Sequence, residues 1–324
     1  AVQDDGDFLG VWQSEEPMEE VVRARFYASD GSPLTAEMLV NQNPTGENHE
    51  VFFDVDASPT TGRFVVVWDA TVAVESNKKV VRARLFSPAG ASASGELQLN
   101  QEQDDAREQR PDVAYAPDGS FTAVWQSDNN GIEARRFTAS GAPIGDEVLV
   151  TDTGTYRTPT VSVDAAGRAL YSWKGDGDLL VGRLYDASGS PLGPVFDIST
   201  NAVHDVTRPH GSAVVGGTRF VLAWGTQAPA GDDTDRGIDA RVVTGHDAFH
   251  GPTFQVNQYT PHTQQQPTVA AAADRMMFAW KGHNSPYSLT DDVIQGRLIE
   301  LSDLVLFGDD FESGDTSAWS VAVP

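Results

Sequence analysis

The residues of this sequence best suited to chemistry are aromatic, histidine, amide and arginine side chains in short polar segments. Tyrosine rings can stack on sugar rings, and amide, imidazole and guanidinium groups can hydrogen-bond sugar hydroxyls. The segments with this composition supply seven candidate ligand-binding residues, which are Tyr156, Arg157, Tyr259, His262, His283, Asn284 and Tyr287. We therefore predict a site for a glycan or another surface polymer.

Clustered aspartates form the second chemical signal. Asp232, Asp233 and Asp235 are the best candidates for a Ca²⁺ site, and Asp176 and Asp178 follow. Calcium takes six to eight oxygen ligands in irregular geometry. No segment has the spaced D-x-D-x-D-G pattern, so a solvated acidic loop is the competing interpretation. The histidines lack H-E-x-x-H spacing, and we predict neither a zinc site nor an organic cofactor.

Sequence signatures of catalysis are missing. There is no G-x-S-x-G elbow, P-loop or Rossmann glycine pattern, and the chain has no cysteine. A pair of carboxylates for glycoside cleavage stays open, because its members would come from distant loops and only their spatial separation would reveal them. The sequence thus favours a binding protein and leaves a polysaccharide-active enzyme as an alternative.

Charge excludes several partners. The 324 residues contain 22 Lys and Arg against 47 Asp and Glu, which gives a net charge of −25. Binding to nucleic acid or to an anionic membrane needs a basic surface, so neither is expected. No run approaches the ~20 apolar residues of a membrane span. Hydrophobic residues make up 40% of the chain, enough to bury a core.

A tryptophan repeat predicts the elements that must position these residues. Six tryptophans recur at a mean interval of about 54 residues, in the range of propeller blades. They are Trp12, Trp68, Trp125, Trp173, Trp224 and Trp280. Each ends an apolar strand, a shorter strand precedes it, and two further strands follow it. Four antiparallel strands per unit without helical periodicity predict an all-β propeller of six four-stranded blades, with seven as the alternative.

The first unit is shorter than the others, because only 11 residues precede Trp12. Its innermost strand is therefore expected to be incomplete. We predict a propeller over residues 1–302 and a C-terminal tail over 303–324. The tail's apolar end, Trp319–Val323, is a candidate strand to complete the first blade and close the ring, which would remove open sheet edges.

An arginine also recurs, once per unit, in the third strand. The six are Arg25, Arg84, Arg135, Arg183, Arg241 and Arg297. A ring of arginines could bind a cofactor, but repetition at one position of a stacked unit favours a structural role. We expect each to bond a partner or a backbone carbonyl between blades, beside the apolar or aromatic residue two positions further along.

The loops divide into two sets. With the strands of a unit labelled a to d outward from the axis, the a–b and c–d turns share one face of the ring. The b–c and d–a loops share the other. The first set is short and uniform, whereas the second varies in length and chemistry and contains all the candidates above. Variable loops on a rigid scaffold are where function usually lies, so we predict that this variable-loop face binds the ligand.

Two features of the chain resemble known proteins: the repeat, over nearly its whole length, and the C-terminal segment. Trp125–Ser127, Ala134–Phe137 and Gly141–Gly145 are similar to repeats of large bacterial surface and secreted proteins. The segment Leu306–Ser320 resembles the Phe-x-Asp-x-Phe-Glu-x-Gly-Asp-x-x-x-Trp-Ser ending of many secreted bacterial proteins, which is suspected of sorting or surface display. The resemblance implies a propeller at the cell surface or outside the cell.

These observations predict an acidic, secreted or surface-displayed binding and adhesion protein for a glycan or other surface polymer. The first alternative is a structural protein that self-assembles. In that case the tail would complete the blade of a neighbouring copy by strand exchange. The second alternative is the polysaccharide-active enzyme.

Overall fold

The computed structural model describes eleven stretches of the chain, which are 1–16, 19–42, 51–73, 78–101, 107–128, 131–151, 157–203, 210–227, 236–258, 263–285 and 288–304. They form six separate antiparallel sheets, arranged in a ring as the blades of a β-propeller. The predicted six-bladed fold is confirmed.

Three blades have four strands. Blade 2 contains β4 (Phe53–Ala57), β5 (Phe64–Ala73), β6 (Lys78–Phe86) and β7 (Leu97–Gln98). Blade 3 contains β8 (Glu108–Tyr115), β9 (Phe121–Ser127), β10 (Gly131–Phe137) and β11 (Pro143–Thr151). Blade 4 contains β12 (Arg157–Val163), β13 (Ala169–Lys174), β14 (Leu180–Tyr185) and β15 (Phe196–Asp197).

The other three blades depart from four strands within the described residues. Blade 1 has β1 (Phe8–Glu16), β2 (Glu19–Tyr27) and β3 (Met38–Leu39). Blade 5 has five strands, because β16 (His210–Val215), β17 (Arg219–Gln227) and β18 (Arg236–Gly245) are followed by β19 (Ala248–Phe249) and β20 (Phe254–Gln255). Blade 6 has β21 (Gln264–Ala272), β22 (Arg275–Ser285) and β23 (Ser288–Glu300), after which a 3₁₀ turn covers Leu301–Leu304.

The tryptophans fill the spaces between blades. Trp68, Trp125, Trp173 and Trp224 are at most 1% exposed, and Trp280 is 5% exposed. Trp125, for example, belongs to a cluster that combines apolar residues of blades 2 and 3, such as Val81 of β6 and Val113 of β8. Each of these five Trp residues therefore packs against the preceding blade, which explains why both faces of their strands are apolar.

Five of the six repeated arginines join successive blades, as predicted. In blades 2 to 6, a terminal guanidinium nitrogen donates to a carbonyl at the outer edge of the preceding blade, at 2.8–3.2 Å. The pairs are Arg84 with Leu39 and Val40, Arg135 with Leu99, Arg183 with Val150, Arg241 with Ile198, and Arg297 with Val256. Arg25 of blade 1 instead bonds Thr35 in its own blade. We call the five inter-blade contacts the arginine clamps.

The seam between blades 6 and 1 is the least buried. Trp12 is only partly buried, unlike its five counterparts. On blade 6, Met277, Ile294 and Leu298 are 46%, 79% and 57% exposed. At the inner edge of blade 1, Val2 bridges Phe8 in place of a full strand, which agrees with the predicted shortening. The tail predicted to complete this blade lies outside the described residues, apart from 303 and 304.

Within the described residues, no helix is long and apolar enough to cross a membrane.

Candidate functional site

The inner strands enclose a channel of about 890 Å³ along the axis of the ring. Its lining includes all of β4 and most of β8, β12, β16 and β21, so it follows these inner strands along the axis of the ring. Ala1 and Val2 line the side where blade 1 has no full inner strand. One mouth of the channel opens where the inner strands begin, which is the variable-loop face.

Three aspartates of the channel hold neighbouring inner strands together. The carboxylates of Asp54 and Asp56 accept the backbone N–H groups of Val113 (3.1 Å) and Tyr115 (2.7 Å). In the next blade, Asp112 accepts the N–H of Val161 at 2.7 Å. Burial raises the pKa of Asp56 to about 6. These carboxylates therefore tie adjacent inner strands together where those strands line the channel.

At the variable-loop mouth, three blades place a polar residue in the same unusual conformation. Arg110, Thr158 and Gln266 have φ angles of +56°, +55° and +53°. Each precedes a proline and lies within a break in strand register. A left-handed conformation costs a non-glycine residue about 1–3 kcal/mol, and such residues cluster at functional sites. We call Arg110, Thr158 and Gln266 the mouth residues.

Two of the mouth residues contact each other across adjacent blades. An Nη1 proton of Arg110 is donated to the Thr158 hydroxyl at 3.3 Å. The Arg110 guanidinium also lies 4.8 Å from the centre of the Phe52 ring, and its backbone N–H donates to the Asp69 carboxylate at 3.3 Å. Gln266 is exposed, whereas Thr158 is buried. The mouth therefore combines a fixed cation, a hydroxyl and an accessible amide.

A second polar cluster lies at the same end of blade 3, between blades 2 and 3. The buried carboxyls of Glu108 and Glu133 flank the indole of Trp125, which donates to Glu133 at 3.3 Å. The hydroxyl of Ser127 donates to Glu108 at 2.9 Å. Burial and the neighbouring Glu133 raise the pKa of Glu108 to about 8. Glu108 therefore holds a proton at neutral pH.

Blade 6 builds the same arrangement from amides. The indole of Trp280 donates to Gln264 at 2.9 Å and to Gln295 at 3.2 Å. The strand registers make Gln264 the counterpart of Glu108, and Gln295 that of Glu133. Gly282 replaces Ser127, because a Cβ there would lie only 2.9 Å from the Gln264 side-chain oxygen. Blade 6 thus provides an uncharged counterpart of the glutamate pair.

Most of the predicted ligand residues lie outside the described residues. These are Tyr156, Tyr259, His262 and Tyr287, while Arg157, His283 and Asn284 are described in their backbone only. Arg157 begins β12 directly before the mouth residue Thr158, and His283 pairs with Asp292 at the far end of the blade 6 hairpin. These three positions are on the variable-loop face, and their roles in binding remain predictions.

The predicted metal ligands Asp232, Asp233 and Asp235 also lie outside the described residues. Asp178, the second-ranked choice, forms an ion pair with Lys174 at 2.8 Å. Within the described stretches, no group of three or more histidine or acidic residues could hold a metal ion. Calcium binding remains a prediction for the residues beyond them.

Sequence reasoning missed the mouth residues and the glutamate pair. The dipeptides Arg110-Pro111, Thr158-Pro159 and Gln266-Pro267 recur at the start of inner strands, and the sequence analysis assigned no role to them. Aligning the repeats on the third-strand arginine would have placed Glu133 and Gln295 in one column, because each lies two positions before that arginine. The signal was therefore present in the sequence, whereas the left-handed backbone was not.

Comparisons with known proteins agree on architecture. No family model and no curated protein sequence matches the chain. A solved structure of a protein of unknown function from Dyadobacter fermentans aligns with a TM-score of 0.60 at 12% identity, covering 92% of each chain. The α-L-arabinofuranosidase Arb93A of Fusarium graminearum, bound to an iminosugar inhibitor, aligns with a TM-score of 0.60 at 14% identity, covering 94% of this chain and 92% of that one.

A third similar structure is the α-L-arabinanase of Penicillium chrysogenum complexed with arabinobiose. It aligns with a TM-score of 0.51 at 8% identity, covering 78% of this chain and 94% of the other. At such identities the likeness shows a shared fold. Any shared chemistry has to be argued from the residues of this chain.

Proposed function

We propose that this protein is a secreted or surface-displayed propeller that binds a glycan through the variable-loop mouth of its channel. The observation that carries the proposal is the repeated left-handed placement of Arg110, Thr158 and Gln266 at that mouth. A backbone strain repeated in three blades presents polar side chains on a rigid scaffold. Ligand binding is the function that such a placement serves best.

The lining of the channel supports a polyhydroxylated ligand. Asp54, Asp56 and Asp112 offer acceptors below the mouth, while Ser162 and Ser212, which bond each other at 2.8 Å, supply hydroxyls. Sugar hydroxyls can both donate to the carboxylates and accept from hydroxyl and amide groups. Two of the structures with a similar fold were solved with carbohydrate-like ligands, arabinobiose and an iminosugar, which is consistent with this choice.

The test is a binding titration of the full chain against arabinan, xylan, galactan and acidic polysaccharides. The sharpest variant is Gln266→Gly, because glycine adopts a positive φ readily and removes the side chain without adding strain. We expect binding to weaken at least fivefold while the melting temperature stays level or rises. Ala273→Gly is the matched control, since Ala273 has φ +50° in a turn on the opposite face.

Equal binding by wild type and Gln266→Gly would contradict the proposed position of the site. The predicted loop residues are tested in the same assay by Tyr259→Ala and Tyr287→Ala. Chromatography of each polymer after long incubation separates binding from catalysis. Progressive shortening of a polymer would identify the enzymatic alternative.

A second candidate function is self-association, favoured by the exposed apolar residues of blade 6. Met277, Ile294 and Leu298 lie on strands β22 and β23, in a blade with three described strands. In this proposal the tail of another copy, residues 305–324, packs on this blade. The tail's Trp319 and the alternating valines after it supply matching apolar side chains.

Light scattering on the intact chain and on a chain ending at Leu304 tests this candidate. Self-association predicts particles well above 34.8 kDa that disappear on truncation and with Ile294→Glu. A monomeric intact chain would overturn it. In that case an intramolecular role for the tail in ring closure would be the remaining prediction.

A further inference from the structure

We propose that residues 309–312 of the chain's own tail form the outer strand that blade 6 lacks among the described residues, with Phe311 covering the exposed apolar face at the seam. The same strand supplies a backbone carbonyl to Arg25, as a sixth contact of the kind seen in the arginine clamps. This position differs from the inner strand of blade 1 that the sequence predicts for the tail. It does not depend on the proposed glycan binding.

One position of blade 6 is exposed although the other five blades bury it. In the third strand, the residue three positions before the repeated arginine is 0% exposed in blades 1 to 5, and the set is Val22, Val81, Ile132, Leu180 and Ile238. Its counterpart in blade 6, Ile294, is 79% exposed. Leu298 and its cross-strand partner Met277, on the same face, are 57% and 46% exposed. An exposed apolar face of this kind marks a contact surface.

The other five blades show which element covers this position. In each, the residue directly before the arginine pairs with an outer-strand residue 13 positions after the arginine, as Ala24 pairs with Met38. Two positions further on, an aliphatic residue is at most 1% exposed and packs against the next blade. These residues are Val40, Leu99, Val150, Ile198 and Val256. In blade 6, Gln295 and Gly296 have no outer-strand partner within the described part of the chain.

The aliphatic residues of the outer strands also supply the carbonyls of the arginine clamps. In Arg135 and Arg183, Nε bonds a carbonyl of the own blade while Nη1 reaches the preceding blade. Arg25 makes the first of these bonds, from Nε to the Thr35 carbonyl at 3.0 Å. Among the described residues, no carbonyl of another blade accepts from it. The blade that precedes Arg25 in the ring is blade 6, so an outer strand there would provide this acceptor.

The repeat spacing selects the segment of the tail. Counted from Arg297, the buried outer-strand position falls at Glu312, but a carboxylate is unsuited to a buried apolar position. Phe311, directly before it, is suited. In blade 6 the connection after the third strand begins with the 3₁₀ turn Leu301–Leu304, which follows no other third strand within the described residues, so its length need not equal theirs. A connection shorter by one residue places Phe311 against Ile294.

The neighbours of Phe311 fit this register. Asp310 takes the position directly before the buried residue, which in blade 4 is held by the exposed Asp197. The position directly after the buried residue carries a side chain that accepts a third-strand N–H at 2.7–3.0 Å in four blades, from Asn41, Asn100, Ser199 and Asn257. Glu312 provides such an acceptor for the N–H of Ile294. The carbonyl of Phe311 is then the acceptor for Arg25.

The test uses engineered cysteines, because the chain has none of its own. The register places residue 310 opposite Gln295, as Leu39 lies opposite Arg23 in blade 1. The full chain carrying Gln295→Cys and Asp310→Cys is oxidised mildly and analysed by non-reducing electrophoresis and peptide mass. We expect an intrachain disulfide in the monomer, formed about tenfold faster than in the matched control with Gln295→Cys and Val321→Cys. Melting temperatures verify that both variants fold.

Stability measurements test the side chain and the clamp without cysteines. Phe311→Ala should lower the melting temperature by about 4 °C, whereas Trp319→Ala should change it by about 1 °C or less. Arg25→Gln should lower the melting temperature of the full chain. The same substitution should have less than half that effect in a chain ending at Leu304, because the acceptor carbonyl has been removed.

Each outcome bears on one part of the proposal. A folded protein without a disulfide between positions 295 and 310, or with a faster one to position 321, overturns the assignment of residues 309–312. Disulfide-linked dimers overturn the intrachain assignment and favour self-association. Equal effects of Arg25→Gln in the full and shortened chains overturn the sixth contact. These measurements involve no glycan, so their failure leaves the proposed glycan binding unaffected.

Discussion

Blades 3 and 6 surround equivalent tryptophans, Trp125 and Trp280, with different side chains. In blade 3 the indole of Trp125 meets two carboxyls, Glu108 and Glu133, whereas in blade 6 the indole of Trp280 meets two amides. The amide pair is neutral at every pH. The carboxyl pair is accommodated in a buried position only because one member keeps a proton, so blade 3 is sensitive to pH where blade 6 is not.

The largest effect is expected from giving blade 6 the chemistry of blade 3. The double substitution Gln264→Glu and Gln295→Glu buries two carboxyls beside Gly282, where no serine hydroxyl is available as in blade 3. When both new glutamates are ionised, the free energy of unfolding at pH 9 should be about 4 kcal/mol lower than at pH 6. This loss comes in addition to the change that wild type shows between the two pH values. Urea denaturation at the two pH values measures it. An unchanged difference between them would contradict the equivalence of the two blades.

The reverse exchange should remove the pH dependence of blade 3. The Glu108 pKa is about 8 in the folded protein, above its ordinary value, so the folded state binds a proton that the unfolded chain has released. The stabilisation from this bound proton is complete at pH values below the pKa of Glu108 in the unfolded chain, and it is lost as the pH rises through 8. Glu108→Gln should therefore reduce the loss of free energy of unfolding between pH 6 and pH 8 by about 2–3 kcal/mol.

The control for this exchange is Glu300→Gln, because Glu300 is partly exposed and pairs with Arg275. Its profile should follow that of wild type. If the stability of Glu108→Gln depended on pH as steeply as that of wild type, the titrating group would lie elsewhere. Asp56 and Asp239, whose pKa values are both raised to about 6, would be the next candidates.

Removing the indole N–H sharpens the comparison. Trp125→Phe and Trp280→Phe delete the same donor from two kinds of acceptor. A hydrogen bond to a charged group contributes about 1.5–3 kcal/mol and a neutral one about 0.5–1.5 kcal/mol. Above pH 8 we expect Trp125→Phe to cost about 1 kcal/mol more than Trp280→Phe, as measured by chemical denaturation. Equal costs at pH 9 would argue against an ionised pair in blade 3.

The smallest expected effect concerns Ser127. Its hydroxyl donates to Glu108 and favours the ionised form of that carboxyl. Ser127→Ala should cost about 1 kcal/mol above pH 8 and less at pH 6, where Glu108 is protonated. Thermal unfolding at both pH values tests this, and an equal loss at both would indicate a packing effect instead.

Repetition decided how much of this molecule could be predicted. The tryptophans and arginines recur in every unit, and the structure confirms both the six blades and an inter-blade role for five of the six arginines. Blade 1 was also expected to lack a full inner strand, because too few residues precede Trp12. These features depend on spacing, which a single sequence displays directly.

Features that break the repeat were harder to predict. Glu108 and Glu133 lie 25 positions apart, and nothing local indicates that they meet at one indole. The left-handed backbone of Arg110 depends on a register break against β9, which is a property of the sheet. The predicted loop residues Tyr156, Tyr259, His262 and Tyr287 lie outside the described residues, so their roles stay predictions.

The arginine clamps all point one way along the chain. Arg84 reaches back to Val40, and Arg297 reaches back to Val256. The acceptor carbonyl therefore always belongs to a blade that leaves the ribosome earlier. The residues that supply each anchor carbonyl are thus synthesised before the arginine that binds them, an order that is compatible with successive docking of blades from the N-terminal end. Blade 1 comes first in that order, and its Arg25 bonds within its own blade rather than to an earlier one.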